Sequence, residues 1–396
     1  MPTTNRRAGH ARLSRLAVLG PAVVAAALAL PGCGNKDKSS GDKQTAAPAA
    51  APAGETVSAN NTNKPYHAKP SSGTLGTVER LDPRLDALLA GDAKMEKLVE
   101  GLDWAEGPVW HRQKGVLFFS DVPQNVVYQW QEGKGVSEYL RPSGYTGTAP
   151  RGGEPGSNGL TIDPEGRLVL CQHGDRRVAV LGNAALPSDD RHWAAARSRG
   201  LNALAANYDG KRFNSPNDLC FDKAGNLYFT DPPYGLPKNV DDPTKEIPFQ
   251  GVYRVGKDGK VVLLTKEMTR PNGIALSPDE KTLYVANSDP KQAIWKAFPI
   301  KDDGTLGEGK VFFDATKWVA PNVKGLPDGM KVDTKGNLWA TGPGGVLVFA
   351  PDGTHLGTLK TGEATANVAF GGADGSTLYI CADSYIARIP TKAKGW

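Results

Sequence analysis

KGVLFFSD at residues 114–121, EGRLVLCQ at 165–172, AGNLYFTD at 224–231, EKTLYVAN at 280–287, KGNLWATG at 335–342 and GSTLYICA at 375–382 are six copies of one pattern. A polar turn, most often with Gly or Asp nearby, leads to an anchor leucine and then to apolar and aromatic residues. The anchors are Leu117, Leu168, Leu227, Leu283, Leu338 and Leu378, at intervals of 51, 59, 56, 55 and 40 residues. A turn followed by such a run reads as a short strand. Four strands of five or six residues with their turns occupy roughly 40–50 residues. Six units of that size predict an all-β chain folded as a six-bladed β-propeller over 76–396. A solenoid keeps tighter repeat lengths, and a sandwich does not repeat six times. Gly 47 and Pro 30 suit many tight turns. One stretch, 81–99, carries Leu85, Leu88, Leu89 and Met95 at helical spacing and is expected as a helical lead-in to the first blade.

Ahead of the repeats the composition changes. Arg6, Arg7, Arg12 and Arg15 form a charged region, and residues 16–30 an apolar one too short to span a membrane comfortably. Leu30-Pro31-Gly32-Cys33 follows, with a small residue before a cysteine. This predicts a lipoprotein-type signal peptide over 1–32 and a lipid anchor on Cys33, the only membrane attachment expected, in the cell envelope on the periplasmic side or at the outer membrane. Residues 33–75, rich in Ala, Pro, Ser, Thr and Lys, bury too little to offset their ordering entropy and read as a flexible tether. The formal charge of +5 owes much to those four arginines, and no basic run with interleaved aromatics follows, so no nucleic acid partner is expected. Cys171, Cys220 and Cys381 lie in strand-like runs without metal spacing and read as buried free thiols.

Ten or eleven positions before each anchor stand Glu106, Asn158, Asn217, Asn272, Asp328 and Asn367. Any one alone reads as a turn residue. Six in one register of a radial repeat point the same way, so two carboxylates and four amides meet at one end of the channel. Hard oxygen donors of this kind suit one divalent cation, with Ca²⁺ favoured. Such a cation polarises an ester carbonyl and acidifies a neighbouring water, with Asp328, Glu106 or His173 as candidate proton acceptors. No GxSxG-type nucleophile motif occurs. Loops 141–157, 232–250 and 315–327 are Gly/Pro-rich and polar and suit a small polar substrate, with Asp231 and Tyr234 expected at its rim.

EGPVW (106–110), SNGL (157–160), RFNSPND (212–218), FTDPPYG (229–235), RPNGIALSPDEKTLYVA (270–286), LPDGM (326–330) and ANVAFGG (366–372) together resemble the SMP-30/gluconolactonase/LRE-like family of calcium-dependent lactonases. The resemblance covers about 80–396. It implies a metal held by Glu106, Asn217, Asn272 and Asp328, with Asn158, Asn367, Arg212 and Asn214 on the substrate side. It implies a hydrolase that opens a lactone or related ester. Some relatives carry an arginine two residues before the residue equivalent to Asn217, where this chain has Ser215. A phosphotriesterase on the same metal site and a non-enzymatic envelope-binding propeller are the rival readings. An electron-transfer propeller lacks its haem motif here.

Overall fold

The computed structural model describes residues 68–182 and 200–395. The repeats fold as expected. Blade one is Ala105–His111, Val116–Asp121, Val126–Gln131 and Gly135–Leu140, in antiparallel order. Blades two, three and four likewise take four consecutive strands each, starting at Ser157–Ile162, Leu219–Phe221 and Pro271–Leu276. Blades five and six start at Met330–Val332 and Thr365–Gly371. These six first strands contact one another in a closed ring, the last against the first, which makes the six-bladed propeller.

The second strands carry the anchor leucines and are sandwiched between neighbouring blades. Val116 and Phe118 pack with Leu160, Leu168 and Leu170 of blade two, while Leu117 and Phe119 pack with Tyr379 and Ile386 of blade six. Alternate side chains thus face opposite neighbours, so Val116–Asp121 is buried throughout. That is why these runs read apolar without a polar alternation.

Closure comes from the N-terminal side. Blade six supplies only Thr365–Gly371, Thr377–Ala382 and Tyr385–Pro390 from the C-terminal end, and Met95–Glu100 pairs with the last of these as its outer strand. Thr77–Arg80 adds a fifth strand to blade five. An open edge at Tyr385–Pro390 would expose unpaired backbone groups. Satisfying it overrides the helical spacing of 81–99. Only a 3-10 turn, Pro83–Ala87, forms there, capped by the Asp82 carboxylate on the Arg84 amide. Leu85, Leu88 and Leu89 still bury themselves, under blades five and six. The expected helix is therefore corrected to a turn and a strand. The tether expectation also ends too late, because Lys69–Pro70 and Thr74–Leu75 already pair with Met95–Glu100. The leader, Cys33 and the tether before residue 68 lie outside the described residues.

Cys171 and Cys381 are buried free thiols and Cys220 is half-buried. Burial holds all three thiols well above the usual range.

Candidate active site at the channel mouth

The ring residues sit on or just before the first strand of each blade. These strands approach so closely that four of the six blades carry glycine at the next position. A Cβ on Gly107, whose φ is +52°, would lie 2.1 Å from the Asn158 carbonyl oxygen, and one on Gly273 would lie 2.1 Å from that of Asp328. Crowding of this kind drives the side chains of Glu106, Asn158, Asn217, Asn272 and Asn367 into the interior, where all are buried. Asp328 is half-buried, with its Oδ1 out of solvent.

Hydrogen bonds decide which atom each amide presents. Asn272 donates from Nδ2 to Ser288 Oγ (2.8 Å), and Ser288 Oγ donates in turn to the Pro327 carbonyl. Asn217 Nδ2 lies 3.5 Å from His173 Nε2. In both residues the nitrogen faces away, and the Asn272 Oδ1 has no partner. Asn158 Oδ1 and Asp328 Oδ1 are likewise buried without one. Asn367 is turned the other way. Its Oδ1 accepts from the Val368 amide (2.9 Å), while Nδ2 reaches Glu106 Oε2 and Asp218 Oδ2 at 3.5 Å each.

Orphaned buried oxygens are costly unless something satisfies them. Among the described residues no trio of His, Cys, Asp or Glu side chains converges on a coordination point. The donor set here is instead mixed, two carboxylates with amide oxygens, which fits a hard dication rather than a soft one. Burial pushes the Glu106 carboxyl above the usual range, with Asp218 and Glu154 adding to it against the Gly107 amide. Burial also raises Asp328, reinforced by Glu106, Asp218 and Glu154. Both charges are crowded against like neighbours and lack a countercation of their own.

His173 is fully buried beneath the mouth, and Glu154 Oε2 comes within 2.9 Å of its Nδ1, off the line of a hydrogen bond. His111 lies elsewhere, bonded through Nε2 to the Gly166 carbonyl (3.1 Å). Arg212 is not brought to the ring. It lies exposed on the ribbon Asn207–Tyr208/Lys211–Arg212, its amide donating to Glu246. Asn214 is buried, with Nδ2 on the Asp231 and Phe249 carbonyls and its Oδ1 without a partner. Asp231 is no rim residue either: it is buried, accepting the Asn214 and Ser215 amides (2.8 Å each). Ser215 donates to the Pro232 carbonyl and accepts from the Gly235 amide, tying down the loop that carries Tyr234.

Four residues escaped the sequence reading. Asp218 follows Asn217 where the other blades carry Gly107, Gly159, Gly273, Gly329 and Val368, and this break in pattern was its available signal. Burial raises its carboxyl, with Lys331 opposing. Ser288 and Lys331 follow flagged positions at no recognisable spacing. Glu154 sits in the loop 141–157 expected near the substrate, but nothing in the sequence singled it out within that loop.

The geometry can now be set beside known proteins. The SMP-30/Gluconolactonase/LRE-like region matches residues 104–384. The chain belongs to this family. Over 331 residues it is 39% identical to a gluconolactonase of Zymomonas mobilis subsp. mobilis, covering 82% of this chain and 89% of that one. Among solved structures it resembles XC5397 from Xanthomonas campestris, described as a gluconolactonase, with a TM-score of 0.66 and 30% identity over 81% of this chain and 97% of that one. It also resembles a putative gluconolactonase with a TM-score of 0.67 and 30% identity over 81% of this chain and 99% of that one. The six-bladed fold is thus that of the family.

Proposed function

We propose that this protein is a hydrolase that opens a lactone, using one divalent cation, Ca²⁺ by preference, held by Glu106, Asn217, Asn272 and Asp328. The observation that carries the reading is that the buried ring oxygens Asn158 Oδ1, Asn272 Oδ1 and Asp328 Oδ1 have no hydrogen-bond partner. The similarity to gluconolactonases supports the substrate class. When bound, the cation supplies Lewis acidity toward the ester carbonyl and lowers the pKa of water beside it.

The chain's own residues do the rest. Ser288 and His173 turn the Asn272 and Asn217 amides so that oxygen faces the channel. Asn367 holds Glu106 and Asp218 through its Nδ2, and Asn158 offers an unpartnered Oδ1 to a substrate hydroxyl. Asp328, half-buried and acceptor-rich, takes the proton from the attacking water. His173 keeps its Nε2 within reach of Asn217 and is the second candidate for that proton.

The test is proton release from glucono-δ-lactone by the purified protein. EDTA is expected to abolish it, Ca²⁺ to restore it, and Asp328→Ala to remove both activity and tight metal binding. Tight metal binding with no turnover of any lactone would overturn the substrate class, and no metal binding would overturn the site.

A further inference from the structure

Glu154 is the acidic group at the mouth that comes from a loop and not from a blade's first strand or its entry. Its side chain is 35% exposed and rests on the fully buried His173. His173 Nε2 in turn lies 3.5 Å from Asn217 Nδ2, so one side chain separates Glu154 from the ring, and the Glu154 charge acts on Glu106, Asp328 and the Tyr234 hydroxyl. The nearest arginine in sequence, Arg151, does not neutralise it. That guanidinium donates to the Gly235 carbonyl and to the main-chain oxygen of Glu154, and lies over the Tyr145 ring. Arg270 acts on the Tyr234 hydroxyl and on Asp289. Glu106, Asp218, Asp328 and Glu154 therefore set four carboxylates around the mouth, with the Lys331 ammonium acting on Asp218 and the Arg270 guanidinium on the Tyr234 hydroxyl.

Ring opening adds water across the ester C–O bond. The product is a hydroxy acid, which ionises to a carboxylate and a proton. A neutral substrate thus becomes an anion while still in this field. We propose that Glu154 sets the charge selectivity of the site: it favours uncharged polyhydroxy lactones, whose hydroxyls donate to its carboxylate, and drives out the anionic product. The inference rests on the lactone reading above. One unit charge about 6 Å away, in a medium between protein and water, changes the affinity of an anion by about ten-fold.

The test compares Glu154→Gln and Glu154→Asp with the wild-type Ca²⁺-loaded full chain. Calorimetry gives dissociation constants for gluconate, the anionic product, and gluconolactam, its neutral analogue. Glu154→Gln is expected to tighten gluconate by about ten-fold, to weaken gluconolactam slightly, and to lose the difference in high salt. Glu154→Asp should behave as wild type. Unchanged gluconate affinity overturns the proposal. So does an equal change for both ligands, which would mark a packing role through His173, and so does the binding of neither. Gluconate tightening in a protein without lactone turnover would sink the lactone reading alone. EDTA-sensitive turnover with an unmoved gluconate constant would sink the role of Glu154 alone.

Discussion

Blades one, three and five differ from blades two, four and six three positions after the anchor leucine, and both ring carboxylates fall in the odd set. The odd blades place Glu106, Asn217 and Asp328 in the ring, and Ser120, Thr230 and Thr341 three positions after the anchor leucine. The even blades place Asn158, Asn272 and Asn367 in the ring, and Cys171, Ala286 and Cys381 at the later position. Each odd-blade hydroxyl donates to a carbonyl on the next blade's first strand: Ser120 to Asn158 (2.9 Å), Thr230 to Asn272 (2.6 Å) and Thr341 to Ala366 (2.9 Å). The hydroxyl clasp thus joins blades one to two, three to four and five to six, while the Gly159 amide on the Asn217 carbonyl and the Ser288 hydroxyl on the Pro327 carbonyl tie two to three and four to five. Both ring carboxylates come from clasping blades, and the blades they clasp contribute amides alone.

The largest contrast is within the ring. Asp328→Asn is expected to lower kcat by about 100-fold or more and to weaken Ca²⁺ binding, because it removes a charge the cation needs. Asn158→Ala, on a clasped blade, should keep the metal and chiefly raise KM. Equal losses of metal affinity, measured by calorimetry, would erase the distinction. Next comes Ser288→Ala, which frees the Asn272 amide to rotate and should weaken Ca²⁺ binding by about ten-fold, with Thr restoring most of it.

The clasp itself is a stability effect. Thr230→Val leaves the buried Asn272 carbonyl without its donor and should cost about 1–3 kcal/mol in chemical denaturation. Cys171→Ala, at the matching place on a clasped blade, should cost about 1 kcal/mol from packing. Equal costs would argue against the hydroxyl clasp.

The smallest effect is on pH dependence. Burial pushes Asp121 and Asp231 up to about 7, although each accepts two backbone amides. Their folded values lie above the unfolded carboxylate value of about 4. Folding therefore takes up protons, and this contribution is present below about pH 4 and lost as pH rises toward 7. The even-blade counterparts, Gln172 and Asn287, carry no charge. Asp231→Asn is expected to flatten the fall in stability between pH 5 and 7 by up to about one proton's slope, read from urea midpoints with Ca²⁺ in excess. An unchanged slope would place the titration elsewhere.

Much of this was legible before any coordinates. The six anchors and the six ring positions share one register, and a radial repeat converts register into convergence without further information. The strand that completes blade six was not legible, because 81–99 has helical spacing and its strand forms only where Tyr385–Pro390 offers an unpaired edge. Arg212 and Asn214 flank the ring motif in sequence, yet one is exposed and the other is bonded to the Asp231 and Phe249 carbonyls. Proximity along the chain does not fix direction at the entry to a strand.

By itself, then, the sequence determined the repeat, its number and the residue types that face the channel, because periodicity and side-chain chemistry are local properties. Tertiary structure alone decided the N-terminal strand that closes blade six, the amide atoms turned inward by Ser288 and His173, and the presence of Glu154 over the site. Each of these depends on partners far apart in the chain, whose meeting is fixed by packing and by the need to satisfy buried polar groups.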